Sequence, residues 1–253
     1  MRHKFRKTVV VSLGGSIMYP EQIDYEFLRK FRHFIMRFAK KRRFIIVAGG
    51  GRLSRLYQEA AAKITRVTDE DKDWLGIHAT RSNAQLLRTI FYKIADPVVI
   101  DEHDKIRRPV YPVTIASGWR PGWSTDFIAI AIAEKLGVKE VIIAGKPSHV
   151  YPIRGREGPP HTSSLRGRQR ASASNGAYDK HLDINRPYSQ ISWKKYRRLI
   201  PKKWSPGLHS PVDPVGAELA ERRGIASIII NGKNLENFSR LLGGADFEGT
   251  VIR

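Results

Sequence analysis

Apolar residues along this chain change their spacing several times, and each change marks an element. Thr8 to Leu13 is a largely apolar, β-branched run that ends on Gly14-Gly15-Ser16, the pattern of a buried strand. From Asp24, an expected N-cap, Phe27, Leu28, Phe31, Phe34, Ile35 and Phe38 recur at helical spacing. Lys40-Lys41-Arg42-Arg43 closes that helix with cations suited to its negative end. Phe44 to Ala48 is a second strand and ends on Gly49-Gly50-Gly51. Helices are predicted over 52–64 and from about 71 to 95, and strands over 97–100 and 111–116. A helix over 124–136 starts at Ser124-Thr125-Asp126 and stops at Gly137, and a strand follows over 138–144.

Periodicity is then lost from about 147 to 174. Gly, Pro, Ser and Arg dominate there, including Arg154, Arg156, Arg166, Arg168 and Arg170, and a flexible Arg-rich insertion is expected. Order resumes near Asn175. A short basic helix is predicted over 192–199, then a turn-rich stretch, a helix over 214–223, a strand over 226–230, a helix over 234–242 and a last strand near Thr250. Strands alternating with helices at this spacing imply an α/β fold, a three-layer sandwich around a central, mostly parallel sheet. There is no internal repeat.

Composition narrows the class. At 253 residues the chain can bury a full core. No apolar stretch approaches the roughly 18–20 residues of a membrane helix. The basic start Met1-Arg-His-Lys resembles the head of a secretion signal, but the apolar run after it is too short for one. With no cysteine, disulfides and thiolate metal sites are excluded, and a cytoplasmic address is the default. The histidines are scattered without metal-ligand spacing, so no residue is assigned as a metal ligand.

Charge is the unusual property. Lys and Arg number 45 against 24 Asp and Glu, a net charge of +21. Such a balance attracts nucleotides and favours non-specific contact with nucleic acid, yet a solvated cationic surface produces the same count.

The chemistry-bearing pattern is the pair of strand-terminal glycine clusters, Gly14-Gly15 and Gly49-Gly50-Gly51, about 35 residues apart. Ligands of open α/β sheets bind beyond the carboxyl ends of strands, where glycines let backbone N–H groups approach phosphate oxygens. A tight turn alone also requires glycine, so one cluster says little; two together point to phosphate. Neither fits GxxxxGK[ST] or GxGxxG, which argues against a P-loop and a dinucleotide fold.

In order along the chain stand Val10-Val-Ser-Leu-Gly-Gly-Ser16, Val47-Ala-Gly-Gly-Gly-Arg-Leu-Ser-Arg55, the stretch Asp73 to Leu87, Ser117-Gly-Trp-Arg-Pro-Gly-Trp-Ser-Thr-Asp126, Asn175-Gly-Ala-Tyr-Asp179 and Asp213-Pro-Val-Gly-Ala217. This ordered set resembles the amino acid kinase superfamily, and within it the uridylate (UMP) kinases of archaeal type, over nearly the whole chain apart from the insertion. The resemblance implies ATP-dependent phosphoryl transfer to UMP in pyrimidine biosynthesis, with Mg2+ accompanying ATP, and a homo-oligomer for which hexamers are usual. It implies one domain over 1–253, with an acceptor-binding half over about 1–137 and a nucleotide-binding half over about 138–253.

Roles follow position by position from the same resemblance. Gly14 and Gly15 hold the transferring phosphoryl group, and Asp213 organises the donor side and Mg2+. Gly50, Gly51, Arg55 and Thr125 bind the acceptor phosphate, and Asp73 binds the ribose hydroxyls. Ser12, Tyr178 and Asp179 belong to the ATP site. Each has a plainer reading: Asp213-Pro214 is an ideal helix start, Thr125 sits where a cap would, and Arg55 and Asp73 are ordinary helix charges.

Three departures from the family pattern stand out. Many members have a lysine where this chain has Ser12, so another cation must neutralise charge in transit. The candidates are an arginine of the insertion, Lys7 or Lys146. Trp119 and Trp123 replace small or polar residues in the loop before Thr125, which bears on the base pocket. The usual Tyr-Asp-x-Asp-Pro run reads Tyr178-Asp-Lys-His-Leu182. Other readings are a same-fold kinase for another phosphorylated acceptor, such as isopentenyl phosphate, and a non-catalytic nucleotide- or RNA-binding protein. The first is disfavoured because residues 52–56 lack the histidine that relative uses. The second is opposed by the joint presence of Arg55, Asp73, Thr125 and Asp213.

Overall fold

The computed structural model describes residues 7–152, 186–206, 208 and 210–253. The elements in chain order are β1 (Thr8–Leu13), α1 (Gly15–Met18), α2 (Tyr25–Ala39), β2 (Arg43–Ala48), α3 (Gly51–Ile64), α4 (Asp69–Ile90), β3 (Val113–Ala116) and α5 (Thr125–Lys135). Then come β4 (Glu140–Gly145), β5 (Gln190–Ile191), α6 (Trp193–Leu199), α7 (Pro214–Arg223), β6 (Ala226–Asn231), α8 (Leu235–Gly243) and β7 (Thr250–Ile252). Seven strands form one sheet in the order β3-β2-β1-β4-β6-β7-β5. Every pairing is parallel except β6 with β7.

The strands read as continuous apolar runs because both sheet faces are covered. Side chains alternate between the two layers with period two. Val9, Val11, Leu13, Ile46 and Ile142 face the layer of α2, α4 and α8, while Val10, Ile45, Val47 and Ile143 face that of α5, α6 and α7. Within the first layer Phe31 meets Phe91 edge-on at 6.3 Å and Phe34 packs on Phe238 at 5.0 Å, tying α2 to its neighbours. Asp24 caps α2, accepting from Phe27 N at 2.9 Å as expected.

Several boundaries differ from the sequence reading. The helix expected over 71–95 starts two residues earlier, because Thr68 and Asp71 form a reciprocal capping box, and it ends at Ile90. The strand expected over 97–100 reduces to isolated bridges at Ala95 and Ile100. Pro97 has no N–H to donate, and Val98 N turns to the Asp96 carboxylate at 3.0 Å instead. Neither the four-residue α1 nor the two-residue β5 is long enough to show a period.

Sheet order positions the site. β1 is flanked by β2 on one side and β4 on the other, so successive connections diverge at the β1–β4 junction. A crevice beyond the carboxyl ends of β1 and β4 follows from that divergence.

Candidate active site

A cleft of about 560 Å3 lies at that junction, and its walls include Ser12, Gly14, Arg55, Thr125, Asp126 and Lys146. A larger hollow of about 740 Å3, lined by residues such as Lys139, Trp193 and Gly224, opens near the amino ends of β4 and β6. It lacks strand-terminal glycines, so the smaller cleft is the candidate for phosphate chemistry.

The two glycine turns are packed into each other. A Cβ on Gly15 would overlap Gly51 N and stand 2.6 Å from the Gly49 carbonyl oxygen, and one on Gly49 would overlap Gly15 N. Gly51 has a φ of +66°, open to glycine at no steric cost. Asn83, buried on α4, donates from Nδ2 to the carbonyls of Gly49 at 2.8 Å and Gly50 at 3.1 Å. The sequence reading included Asn83 in a matched stretch without giving it this positioning role.

The loop before α5 is held from α4 as well. Thr80 Oγ1 accepts from Gly118 N at 2.7 Å, and Asp73 Oδ2 accepts from Gly122 N at 2.7 Å and Trp204 Nε1 at 3.2 Å. In this arrangement Asp73 orients the loop that leads to Thr125. Ser124 is the N-cap of α5, accepting from Asp126 N and Phe127 N, which leaves Thr125 in the first turn facing the cleft. Trp119 and Trp123 point elsewhere. Trp119 is buried and donates to the Ile100 carbonyl at 3.2 Å, Trp123 packs on Phe127 at 4.6 Å, and neither lines the cleft.

Asp213 serves two elements at once. Its Oδ1 accepts from Val215 N and Gly216 N, capping α7, while Oδ2 accepts from the hydroxyl of Ser124 at the start of α5. The preceding residue is clamped by Tyr196, whose hydroxyl donates to the Val212 carbonyl and accepts from Val212 N, each at 2.7 Å. Burial pushes the Tyr196 pKa up, so the phenol stays protonated. Tyr178 and Asp179 lie outside the described residues, as does the insertion from 153 onward.

Ser12 and Asp126 form the pair that sequence reasoning missed. Ser12 Oγ donates to Asp126 Oδ1 at 2.6 Å across the strand end. Burial pushes the Asp126 pKa up to about 7, the hydroxyl of Ser12 opposes the rise, and the Asp213 charge adds to it. In the sequence Asp126 stands only as part of the helix start Ser124-Thr125-Asp126 and of the matched loop; only the fold brings it against Ser12. Lys146, just past β4, faces the same cleft. Lys7 precedes β1 and lies a strand length away, about 20 Å for six residues, so it cannot be the missing cation.

A raised carboxyl pKa has a testable sign. The folded chain keeps the Asp126 proton above the unfolded value of 3.8, so this contribution to stability is full below pH 3.8 and is lost as pH rises towards about 7. The loss is on the order of 3 kcal/mol. Urea titrations without divalent ions, compared between wild type and Asp126→Asn, are expected to diverge by that amount between pH 4 and 7. Parallel curves would show an Asp126 with an ordinary pKa.

The arrangement matches known proteins. Residues 7–159 match the model of the amino acid kinase family. The uridylate kinase of Methanothrix thermoacetophila is 30% identical over 247 residues, 97% of this chain and 99% of that protein. The uridylate kinase of Pyrococcus abyssi is 27% identical over 247 residues, 96% and 98% of the two chains. The crystal structure of uridylate kinase from Archaeoglobus fulgidus superposes with a TM-score of 0.73 at 26% identity, covering 98% of this chain and all of that one. With interlocked glycine turns at a β1–β4 crevice and a match across most of its length, the chain belongs to the amino acid kinase family.

Proposed function

We propose that this chain is a UMP kinase that transfers the γ-phosphoryl group of ATP to UMP, giving UDP and ADP. The observation that carries the reading is the convergence on one cleft of the β1 and β4 strand ends, the first turn of α5, and the cations Arg55 and Lys146. A phosphate oxygen of UMP attacks the γ-phosphorus while the bond to the ADP oxygen breaks. Such a transfer needs no enzymic nucleophile, and positioning with charge neutralisation supplies most of the catalysis.

In this reading Gly14 and Gly15 offer backbone N–H groups to the transferring group. Gly50, Gly51, Arg55 and Thr125 hold the UMP phosphate, for which a guanidinium fork and a helix start are suited. Asp73 receives the ribose hydroxyls in place of Trp204. Ser12, Tyr178 and Asp179 belong to the ATP side, and Asp213 keeps the starts of α5 and α7 in register beneath it. Lys146 takes over the neutralisation that a lysine at position 12 would supply. The acceptor half is thus about 1–137 and the nucleotide half about 138–253, in a chain that acts as a cytoplasmic homo-oligomer.

Mg2+ fits as a companion of ATP. Asp126 lines the cleft, and one carboxylate with phosphate oxygens and water is a donor set Mg2+ accepts. Among the described residues no group of three or more His, Cys, Asp or Glu forms an all-protein cage. When bound, the ion neutralises phosphate charge.

A panel of nucleoside monophosphates with radiolabelled ATP tests the reading. UMP is expected to be phosphorylated faster than CMP, and AMP hardly at all. Equal rates with all of them, or no product from any, would refute it.

A further inference from the structure

The amino ends of β1 and β2, opposite the cleft, carry a second concave surface. Lys7, Arg37, Lys41 and Arg42 line a hollow of about 510 Å3 with Phe38 and Leu242. No carboxylate lines it, and among the described residues none of these four cations forms an ion pair. The two arginines are held in place. Arg37 Nη2 donates to Ser239 Oγ at 2.7 Å, and the Arg37 and Arg42 guanidiniums stand 5.0 and 6.0 Å from the centre of the Phe38 ring.

The plainer account is that these cations offset helix dipoles, since α2 and α8 both end here. Magnitudes decide against it. Each helix end contributes roughly half a negative charge, about one in total, against four cations. About three positive charges are left facing the hollow, so an anion of matching charge is the complement.

The hollow is also the end of a track. Arg29, His33, Arg37 and Lys41 recur every four residues at exposed positions along α2 and just past it. Twelve residues at helical rise extend about 18 Å. Lys30 and Lys40 are exposed beside this row, and Glu26, paired with Arg29 at 2.6 Å, stands at its far end. A compact trianion would fill the hollow and leave the track unused, whereas an extended polyanion uses both. The path bends into a concavity, which a flexible single strand follows and a duplex, stiff over about 150 base pairs, does not. We propose that this track and hollow bind the phosphodiester backbone of single-stranded nucleic acid, at a site separate from phosphoryl transfer.

Fluorescence anisotropy with a labelled oligouridylate of about 20 nucleotides, between about 50 and 200 mM salt, tests this on the full chain. Two variants of equal charge are compared: Arg37→Gln/Lys41→Gln/Arg42→Gln in the track, and Lys63→Gln/Arg66→Gln/Lys93→Gln at exposed positions elsewhere. Each phosphate neutralised on a single strand contributes about −0.7 to the slope of log K against log salt. The track variant is expected to lose about two units of slope and at least tenfold in affinity. The control should stay within about threefold, and both should keep wild-type kinase turnover. If the triple variant fails to fold, Lys41→Glu carries the same test. Equal losses in the two variants would reduce the effect to overall charge and overturn the proposal. Wild-type binding too weak to measure, or equally tight binding of inorganic tripolyphosphate or of a duplex, would overturn it as well.

Discussion

Gly15→Ala is expected to destabilise the chain by about 3 kcal/mol or more, a fall in Tm of roughly 10 °C. The added methyl would meet Gly51 N and the Gly49 carbonyl, backbone atoms that have no rotamer through which to yield. Overpacking a side-chain core usually costs about 1–3 kcal/mol, and a backbone-on-backbone clash belongs at the top of that range. Separating the two turns would also displace the walls of the cleft, so turnover should fall with stability. Gly14→Ala is the informative contrast. There the nearest atoms are Gly145 Cα at 3.3 Å and the Ala144 carbonyl oxygen at 3.4 Å, so small shifts accommodate the methyl and the fold should survive. Because Gly14 lines the cleft, its variant should lose activity far more than stability. Thermal melts with turnover on the same samples separate the two, and a Gly15→Ala chain with wild-type Tm would show that the turns are not interlocked.

Asp213→Asn is expected to lower turnover by about 100-fold or more while stability changes by only about 1 kcal/mol. Asparagine caps helices about as well as aspartate, and its carbonyl oxygen can still accept from Val215 N and Gly216 N. What it cannot do is accept from Ser124, because an amide NH2 would face that hydroxyl. The loss is therefore concentrated where α7 holds the start of α5, and with it Thr125 and the charge balance around Asp126. Chemical denaturation with steady-state kinetics at saturating ATP and UMP tests this. A stable variant with near-normal turnover would leave Asp213 as a cap and nothing more.

Much of the fold was legible because its causes are local. β1, β2, β4 and β6 announce themselves as mostly apolar runs, since strands covered on both faces need no polar alternation. α2 is visible from its phenylalanines at helical spacing and α7 from its start at Asp213-Pro214, and the structure ends α7 on Gly224 with a φ of +59°. What failed was short or backbone-driven: α1 and β5 have too few residues for a period, and the segment at 97–100 was misread because Pro97 and the Asp96 carboxylate take its backbone out of the ladder.

The candidate site divides along the same line. By itself the sequence determined the α/β class and the strand-terminal glycines, because strand ends and helix starts are written in neighbouring residues, whereas Arg55, Thr125 and Asp213 stood out only through the resemblance to the amino acid kinases, each having a plainer local reading. Only the tertiary structure decided what each one meets. Ser12 reaches Asp126 across 114 positions, Asp213 reaches Ser124 across 89, and Asp73 reaches Gly122 across 49. It also removed Lys7 from the cleft and admitted Lys146, since β1 runs between the two ends of the sheet. The physical reason is that hydrogen bonds and charge act over a few ångströms of space, and sequence separation says nothing about that distance until the sheet has fixed the strand order.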